Sequence, residues 1–431
     1  MKVNLRLKIK SRNQPQWLCW LLIVLPFVFG TLVEWLGAPA FLKYTLDVAW
    51  LVLLLIMIRM KLQNPKRRGV ALAGWTVVFF LYTLVGYVFL YQSPLYYLWG
   101  VRNNFRYYVA FAAFCAFLEP DDVEDYFKLF DKIFWVNVVV SLVQYFLLGK
   151  KGDHLGGIFG VANGCNAYSN IFFIIVLTKS VVFYMERRER LQDCFWKFAA
   201  MILISALAEL KFFFVEAAAI LICAALFTNF SWRKVGFLLG GAVGIGAGAA
   251  LLAVMFPQFA DFFSLEWFME TASSDKGYTN SGDINRMTVI AEINERFLET
   301  PLQQLFGLGL GNCDNAAYTF LTTPFFIKYS RLHYTWLSTA FMYLETGWIG
   351  LIFFFGFFVL AFMNARKIEK KCTGIAKSYC RIAKIMAIMC VLIAIYNSSL
   401  RTEAGYMAYF VLAIPNIVQK TATPDKESVL E

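Results

Sequence analysis

Long apolar runs recur along the whole chain and predict helices that span a membrane. A helix needs about 20 apolar residues to cross the hydrocarbon layer of a bilayer. The stretch 198–228 carries Glu209, Lys211 and Glu216, which predicts a hairpin of two short helices with these charges at its tip. The other apolar runs, the fourth with a polar lead-in, are 17–36, 39–58, 70–90, 107–118, 133–148, 168–185, 235–256, 335–363, 382–398 and 402–418. We therefore expect an all-α polytopic membrane protein of about twelve transmembrane helices, with a single integral membrane domain over 1–431.

The distribution of positive charge predicts the orientation of these helices. Cytoplasmic segments of membrane proteins carry an excess of Lys and Arg. If the N-terminus is cytoplasmic, the inner segments hold 27 of the 40 Lys and Arg residues and the outer segments hold 12. The first run follows a basic start and lacks a small-residue cleavage site, so we expect a retained helix. Both termini are then cytoplasmic, and residues 257–334 form one large extracytoplasmic loop.

Composition excludes several classes of protein. With 59% hydrophobic and 16% charged residues, the chain is not an ordinary soluble globule. Its net charge of +11 follows from the topology and does not predict nucleic-acid binding. The nine cysteines show no CxxC spacing, and a bond between Cys165 and Cys313 in the outer loops stays open. His154 and His333 have no ligand cluster around them, so we expect no metal and no other cofactor.

Polar groups that could carry chemistry gather in the loop 257–334. Its first part, 259–272, mixes aromatic and acidic residues and is predicted to lie flat at the membrane interface. A helix predicted over 283–300 contains Arg286, and a glycine run, His333 and the span with Glu345 follow. Ionisable groups at membrane depth are functional candidates by default.

Arg286 and His333 each have a functional and a structural interpretation. Arg286 could bind an anionic substrate group, or it could pair with Asp283 or Glu292 on its own helix. His333 lies at the mouth of a span, where an imidazole could take a proton near neutral pH. The alternative is an ordinary polar residue at the interface.

Four more cations are predicted on the same side of the membrane. Lys211 could bind an anion or pair with Glu209 at a solvated hairpin tip. Arg102 and Arg106 are four residues apart and so share one helix face. They could bind substrate or extend toward lipid headgroups, and Arg401, between the last two spans, has the same two interpretations.

The glycine run contains Gly307, Gly309 and Gly311. It is not a dinucleotide-binding fingerprint because no strand precedes it, and it lacks the Lys-Ser/Thr ending of a P-loop. Its bare backbone amides could form an anion-binding nest. The alternative is a flexible turn that re-enters the membrane.

The order of these motifs resembles the signature of the O-antigen ligase/polymerase superfamily, which includes Wzy-type polysaccharide polymerases. Lys211 stands where many members carry an arginine, which keeps the charge but loses the bidentate fork. A Pro-Asn pair common before the sixth span of the family is missing. The resemblance covers residues 100 to about 360 and is carried by Gly100-Val101-Arg102-Asn103, Gly156–Gly160 with Asn166, Ala208–Phe212, Arg286, Pro301, Gly307–Asn312, Leu332-His333-Tyr334, Leu344–Gly347 and Gly350.

The resemblance implies a metal-independent, inverting glycosyltransferase with a GT-C-like fold in the bacterial plasma membrane. Its donor and acceptor would be glycans on undecaprenyl pyrophosphate, polymerised on the outer face into O-antigen, capsular polysaccharide or exopolysaccharide. His333 would take the proton of the attacking hydroxyl. Glu345 is expected to orient helix or loop groups. If one helix joins His333 to Glu345, Glu345 lies about 18 Å deeper than His333 at 1.5 Å per residue. Pyrophosphate would bind to Arg286, Lys211, Arg102 and Arg106, with Arg401 as a weaker candidate.

Other functions remain open on the sequence. A ligase that moves finished glycan to lipid A-core or to protein would share the chemistry and differ in the acceptor. A flippase or solute transporter would place charges along a central cavity, whereas these charges lie outside. A scaffolding protein would leave the motif order without a purpose. Membrane lipids, a chain-length regulator and a flippase are the expected partners.

Overall fold

The computed structural model describes residues 13–64, 72–90, 92–229, 231–257, 282–316 and 318–422. Within these ranges the chain forms helices and loops, with no β-strand. Twelve of the helices have 17 or more residues, and α10 to α12 are short. The helices are α1 (Gln14–Gly30), α2 (Thr45–Gln63), α3 (Ala73–Phe89), α4 (Pro94–Phe117), α5 (Pro120–Phe146), α6 (Asn166–Met185), α7 (Leu191–Leu207), α8 (Lys211–Phe227), α9 (Trp232–Met255), α10 (Val289–Arg296), α11 (Pro301–Phe306), α12 (Pro324–Tyr329), α13 (Ser338–Glu369), α14 (Gly374–Tyr396) and α15 (Gly405–Ala422).

Seven helical segments of the described chain are long and apolar enough to cross a membrane. They are Gln14–Trp35, Ala40–Gln63, Pro120–Phe146, Asn166–Met185, Lys234–Met255, Ser338–Glu369 and Gly374–Tyr396. The shorter helix α3 is also apolar. These helices indicate a protein embedded in a membrane. That α3, α4, α7, α8 and α15 also span it stays a prediction.

Helix α5 begins at Pro120 and not at residue 133, and helix α4 begins at Pro94 and not near residue 107. The first half of α4 is polar, which hides it from a search for apolar runs. Asn104 and Arg106 are nevertheless buried, at 7% and 3% exposure, because they face the protein and not lipid. Polar residues are compatible with a helix in a membrane protein when they face the protein interior.

The predicted hairpin over 198–228 is present, but its charges are placed differently. Helices α7 and α8 are joined by a tight turn in which Glu209 has a φ of 60°. Glu209 and Lys211 lie at this turn, whereas Glu216 is fully buried within α8 and accepts a hydrogen bond from Asn170 at 3.0 Å. The prediction that Glu216 lies at the tip is therefore wrong.

The single helix predicted over 283–300 is also wrong. Two short helices, α10 and α11, replace it, and Arg286 lies in a turn before α10. Helix α11 begins with a capping box in which Thr300 and Gln303 satisfy each other's backbone amides, followed by Pro301 in the first turn. These are strong signals for a new helix start.

The centre of the bundle is formed by α6 and α14, which are the most enclosed of the candidate spans. Helix α6 contacts α5, α7, α8, α14 and α15, and α14 packs along α13. The interior is rich in phenylalanine, and Phe27, Phe130 and Phe172 form edge-to-face or tilted pairs. Helices α2 and α9 are largely exposed along their spans, as expected for helices that face lipid.

Loops predicted on the outer side meet at one end of the bundle. Glu34 accepts hydrogen bonds from the amides of Val161 and Ala162, which joins the first helix to the loop before α6. Ser338 donates to Asn397, and this bond joins the start of α13 to the end of α14.

The interfacial segment predicted over 259–272 and most of the turn predicted at 273–282 lie outside the described residues, as does the basic start of the chain.

Candidate functional site

His333 lies in a left-handed turn between two short 3-10 turns, with a φ of 52°. Its ring stacks on Trp336, with centroids 3.9 Å apart and planes 16° apart. Its Nδ1 atom contacts the carboxylate of Asp283. A carboxylate accepts a hydrogen bond, so Nδ1 carries the proton and Nε2 of a neutral ring has the free lone pair. The contact orients the ring as it would be oriented in a general base.

Arg286 lies next to this histidine. Its guanidinium lies 4.5 Å from the centre of the Tyr396 ring, and Nη1 donates to the tyrosine hydroxyl at 3.5 Å. Within the described residues Arg286 has no carboxylate partner, because Asp283 contacts His333 and Glu292 pairs with Arg296 at 2.7 Å. The predicted pairing of Arg286 with an acid of its own segment is therefore wrong. A cation over an aromatic ring is held in place with its charge unneutralised.

Lys211 reaches the same area from the α7–α8 turn. Phe212 stacks on Tyr396 at 4.0 Å with nearly parallel planes, so one tyrosine ring contacts both Phe212 and Arg286. Lys211 is close enough to Arg286 for their charges to repel. Its Nζ atom lies 3.5 Å from Glu209, and the side chain is only 18% exposed, which is less than a solvated tip would have.

Asp283, Ile284, Arg286, Leu332, His333, Trp336 and Leu337 line a small cavity of about 70 Å³, which we call the His333 cavity. At the wall of this cavity, the segments around Ile284 and Leu332 are joined by a hydrogen bond from the Ile284 amide to the Leu332 carbonyl at 3.0 Å. The cavity thus brings a candidate base and an unneutralised cation together.

A larger cavity of about 480 Å³ contains Arg102, Arg106 and Arg401, and we call it the three-arginine cavity. Each of these cations has a carboxylate partner. Arg102 makes a bidentate contact with Asp47, with distances of 3.1 and 2.6 Å. The other two pairs, Arg106–Glu403 and Arg401–Asp314, have distances of 3.6 and 3.5 Å.

Arg106 does not extend to lipid headgroups, because its side chain is buried. It donates to the Tyr107 hydroxyl at 2.6 Å and to the Arg401 carbonyl at 3.0 Å. Burial alone would raise the pKa of the Glu403 carboxyl, but Arg106 and a hydrogen bond from Tyr168 lower that pKa below its usual value. Glu403 is therefore ionised at neutral pH.

The two cavities are neighbours in the loop layer. Thr335 lines the three-arginine cavity, while His333 and Trp336 line the His333 cavity. The predicted cations thus form two groups. Arg286 and Lys211 lie with His333, and the three arginines lie on the other side of the 333–336 segment.

The glycine run packs against a break in α13 at Gly347, which has a φ of 62°. A helix end leaves its last carbonyl groups without partners. Here the amides of Leu308 and Gly309 donate to the carbonyls of Leu344 and Glu345, at 2.8 and 3.0 Å. A Cβ on Gly307 or Gly347 would lie 2.3 Å from backbone atoms of the opposing segment. Only glycine allows this approach of two backbones.

The start of α13 corrects the expected depth of Glu345. Helix α13 begins at Ser338, so no continuous helix joins His333 to Glu345. Glu345 is fully buried, and its carboxylate accepts a hydrogen bond from the Cys313 amide at 3.1 Å. The backbone of Gly311 also bonds to this carboxylate. The amides that could have bound an external anion therefore bind a side chain and carbonyls of the protein.

Cys165 and Cys313 are both buried free thiols. The other histidine, His154, is exposed and hydrogen-bonds through Nδ1 to the Val161 carbonyl at 3.0 Å. Among the described residues, no group of three or more His, Cys, Asp and Glu side chains has the arrangement of a metal site.

Sequence reasoning missed the partners of the candidate residues. Asp283 was assigned only to a possible pair with Arg286, and Tyr396 and Trp336 were not singled out. Asp47 had a detectable signal, since it is an acid within an apolar run. Compared with models of known protein families and with curated proteins, the chain has no match.

Proposed function

We propose that this protein transfers a glycan from a lipid diphosphate to a hydroxyl of a second lipid-linked glycan, and so polymerises polysaccharide repeat units. The reaction takes place at the end of the bundle that carries the His333 cavity. We place this end on the outer face of a bacterial plasma membrane, with twelve spans, a GT-C-like arrangement and both termini in the cytoplasm. The excess of Lys and Arg in the segments at the opposite end supports this orientation.

In the proposed step, the acceptor hydroxyl attacks the anomeric carbon of the donor sugar. The bond between that carbon and the phosphate oxygen breaks, and the configuration at the carbon inverts. The hydroxyl proton passes to Nε2 of His333, and lipid pyrophosphate leaves with the bonding electrons. Its developing negative charge needs cations near the leaving oxygen, and prearranged charges of this kind are a large catalytic factor.

One observation carries the proposal: a histidine oriented by a carboxylate and an arginine without a carboxylate partner line the same cavity of the described chain. A base and an anion-binding cation side by side suit a reaction that removes a proton and releases a phosphate. Charge-assisted hydrogen bonds to phosphate oxygens are strong, and arginine can make two at once. Lys211 adds a second cation close to Arg286.

The three-arginine cavity supports a different role in the same reaction. Each of its three guanidinium groups is paired with a carboxylate, whereas Arg286 has no carboxylate partner among the described residues and so offers more of its charge to a pyrophosphate. Its size falls within the usual range of small-molecule sites. We assign it to sugar binding, because paired arginines and carboxylates present both donors and acceptors to hydroxyl groups.

Deletion of the gene in its own host tests the proposal. Loss of a polymerase leaves single repeat units on the cell surface, whereas loss of a flippase leaves none and loss of a ligase leaves polymer on its lipid carrier. Purified protein given a repeat unit on undecaprenyl pyrophosphate should also lengthen it in the presence of a chelator. A requirement for a divalent ion, or a deletion mutant with a normal polymer ladder, contradicts the proposal.

A further inference from the structure

A second charged region lies at the other end of the bundle, where α5, α6 and α7 meet. Lys179 lies 2.7 Å from Asp131 and 2.9 Å from Glu189. Lys197 lies 2.7 and 3.0 Å from the same two carboxylates. Two cations and two anions thus form a closed, electrically balanced ring. Both lysines are buried, at 8% and 6% exposure.

This ring is part of the wall of a cavity of about 700 Å³ that also carries an excess of positive charge. Lys132, Arg188 and Arg190 line the cavity, and among its described lining residues Asp193 is the only further acid. Arg188 lies 3.6 Å from Glu186. Within the described residues, Lys132 and Arg190 have no carboxylate at salt-bridge distance. Since the ring is balanced, these two exposed cations are available to an anion.

The residues around the cavity have the composition of a membrane interface. The apolar run 133–148 begins one residue after Lys132. Trp135 and Trp196 line the cavity and are 42% and 61% exposed. Exposed tryptophans are typical of the boundary between hydrocarbon and headgroups.

An apolar stripe continues from the cavity toward the hydrocarbon layer. Helix α5 packs against α7. Positions four, seven and eleven residues after Lys132 fall on its own helix face. On α5 these positions hold Val136, Val139 and Val143, which are exposed, as is the adjacent Trp135. On α7 the exposed apolar side chains include Trp196 and Leu203.

From this arrangement we infer that the cavity binds the phosphate headgroup of an anionic membrane phospholipid. The lipid phosphate contacts Lys132 and Arg190, the two tryptophans contact the glycerol region, and the acyl chains follow the stripe on α5 and α7. A basic pocket between helices at a membrane surface is suited to such headgroups. The inference does not depend on the proposed glycosyl transfer.

The test uses the full-length protein in mild detergent and counts bound lipid by native mass spectrometry. Phosphatidylglycerol, phosphatidylcholine with the same chains, and inorganic phosphate are the three probes. Phosphatidylglycerol should bind more tightly than phosphatidylcholine, and inorganic phosphate should not displace it. Lys132→Gln and Arg190→Gln should each weaken phosphatidylglycerol binding about fivefold, as expected for one basic residue near a membrane surface.

Arg187→Gln is the matched control, because Arg187 is exposed in the same loop but does not line the cavity. It removes the same charge and should change binding less than twofold. Trp196→Ala should weaken the binding of phosphatidylglycerol without changing the charge. The inference is overturned if the control weakens binding as much as Lys132→Gln, if both phospholipids bind equally, or if inorganic phosphate competes at the lipid's own concentration.

Discussion

The two cavities of the loop layer contain similar residues in different electrostatic states. In the three-arginine cavity each guanidinium is paired with a carboxylate, whereas in the His333 cavity Arg286 lies over a tyrosine ring and has no carboxylate partner in the described part of the chain. A carboxylate near an arginine holds it in place but also neutralises it. A tyrosine ring holds the cation and leaves its charge available. Counting arginines therefore does not locate an anion site, whereas the kind of partner does.

The comparison predicts that loss of His333 has the largest effect on catalysis. His333→Ala removes the proposed base and should lower the rate of polymer formation about 10²–10⁴-fold. His154→Ala is the control, because this exposed histidine contacts only a backbone carbonyl. Rates are measured with purified enzyme and a lipid-linked repeat unit. Equal rates for His333→Ala and His154→Ala would show that the histidine is not the base.

The next largest effect is expected on the stability of the fold, from a substitution in the three-arginine cavity. Arg106→Gln removes the buried cation that pairs with the partly buried Glu403 and should lower the free energy of unfolding by about 3–5 kcal/mol. Because the pKa of Glu403 is lowered in the folded protein, the contribution of this pair is complete at neutral pH. It is lost as the pH falls through the lowered pKa of Glu403.

Thermal unfolding in detergent at pH 7 and over a series of decreasing pH values measures this contribution. The double variant Arg106→Gln with Glu403→Gln should be more stable than Arg106→Gln alone. A double variant as unstable as the single one would mean that the stabilisation does not come from the ion pair.

Arg286 should affect turnover and not stability. Arg286→Ala should lower the rate about 10²–10³-fold, as expected for the loss of one prearranged charge at a leaving group, while the unfolding temperature stays the same. Arg331→Ala is the control, since Arg331 is an exposed arginine of the same loop. If Arg286→Ala unfolds earlier and turns over normally, the unpaired state of Arg286 has no catalytic purpose.

The smallest effect is expected at Lys211, the second cation of the His333 cavity region. Lys211→Ala should lower the rate about tenfold, in line with the loss of one charge-assisted hydrogen bond. Lys211→Arg keeps the charge and should retain more activity. The two variants are compared at several donor concentrations, and an equal loss in both would rule out a simple cationic role.

Apolar run length is sufficient to predict most of the long helices, because each span must bury or shield its own backbone. Apolar run length does not predict where α4 begins, because the buried face of this helix is polar and contacts loops. It also places Glu216 at the hairpin tip, because run length carries no information on which neighbouring side chain forms a hydrogen bond with a buried acid.

The sequence draws attention to the candidate residues but not to their partners. Arg286 and His333 stand out because charges are rare in this chain. Their partners are distant in sequence, with 50 residues between His333 and Asp283 and 110 between Arg286 and Tyr396. No local pattern reports such contacts, so the pairing that distinguishes the two cavities is visible only in the structure.

The break at Gly347 divides α13 mechanically. Its first nine residues are fastened to the 307–313 segment through carbonyl groups, and Tyr82 adds a contact of 2.6 Å to the Thr346 carbonyl. The two halves of α13 therefore belong to different parts of the molecule, the first to the loop layer and the second to the helix bundle. A side chain added at Gly347 would collide with the Leu305 backbone at the junction of these two parts.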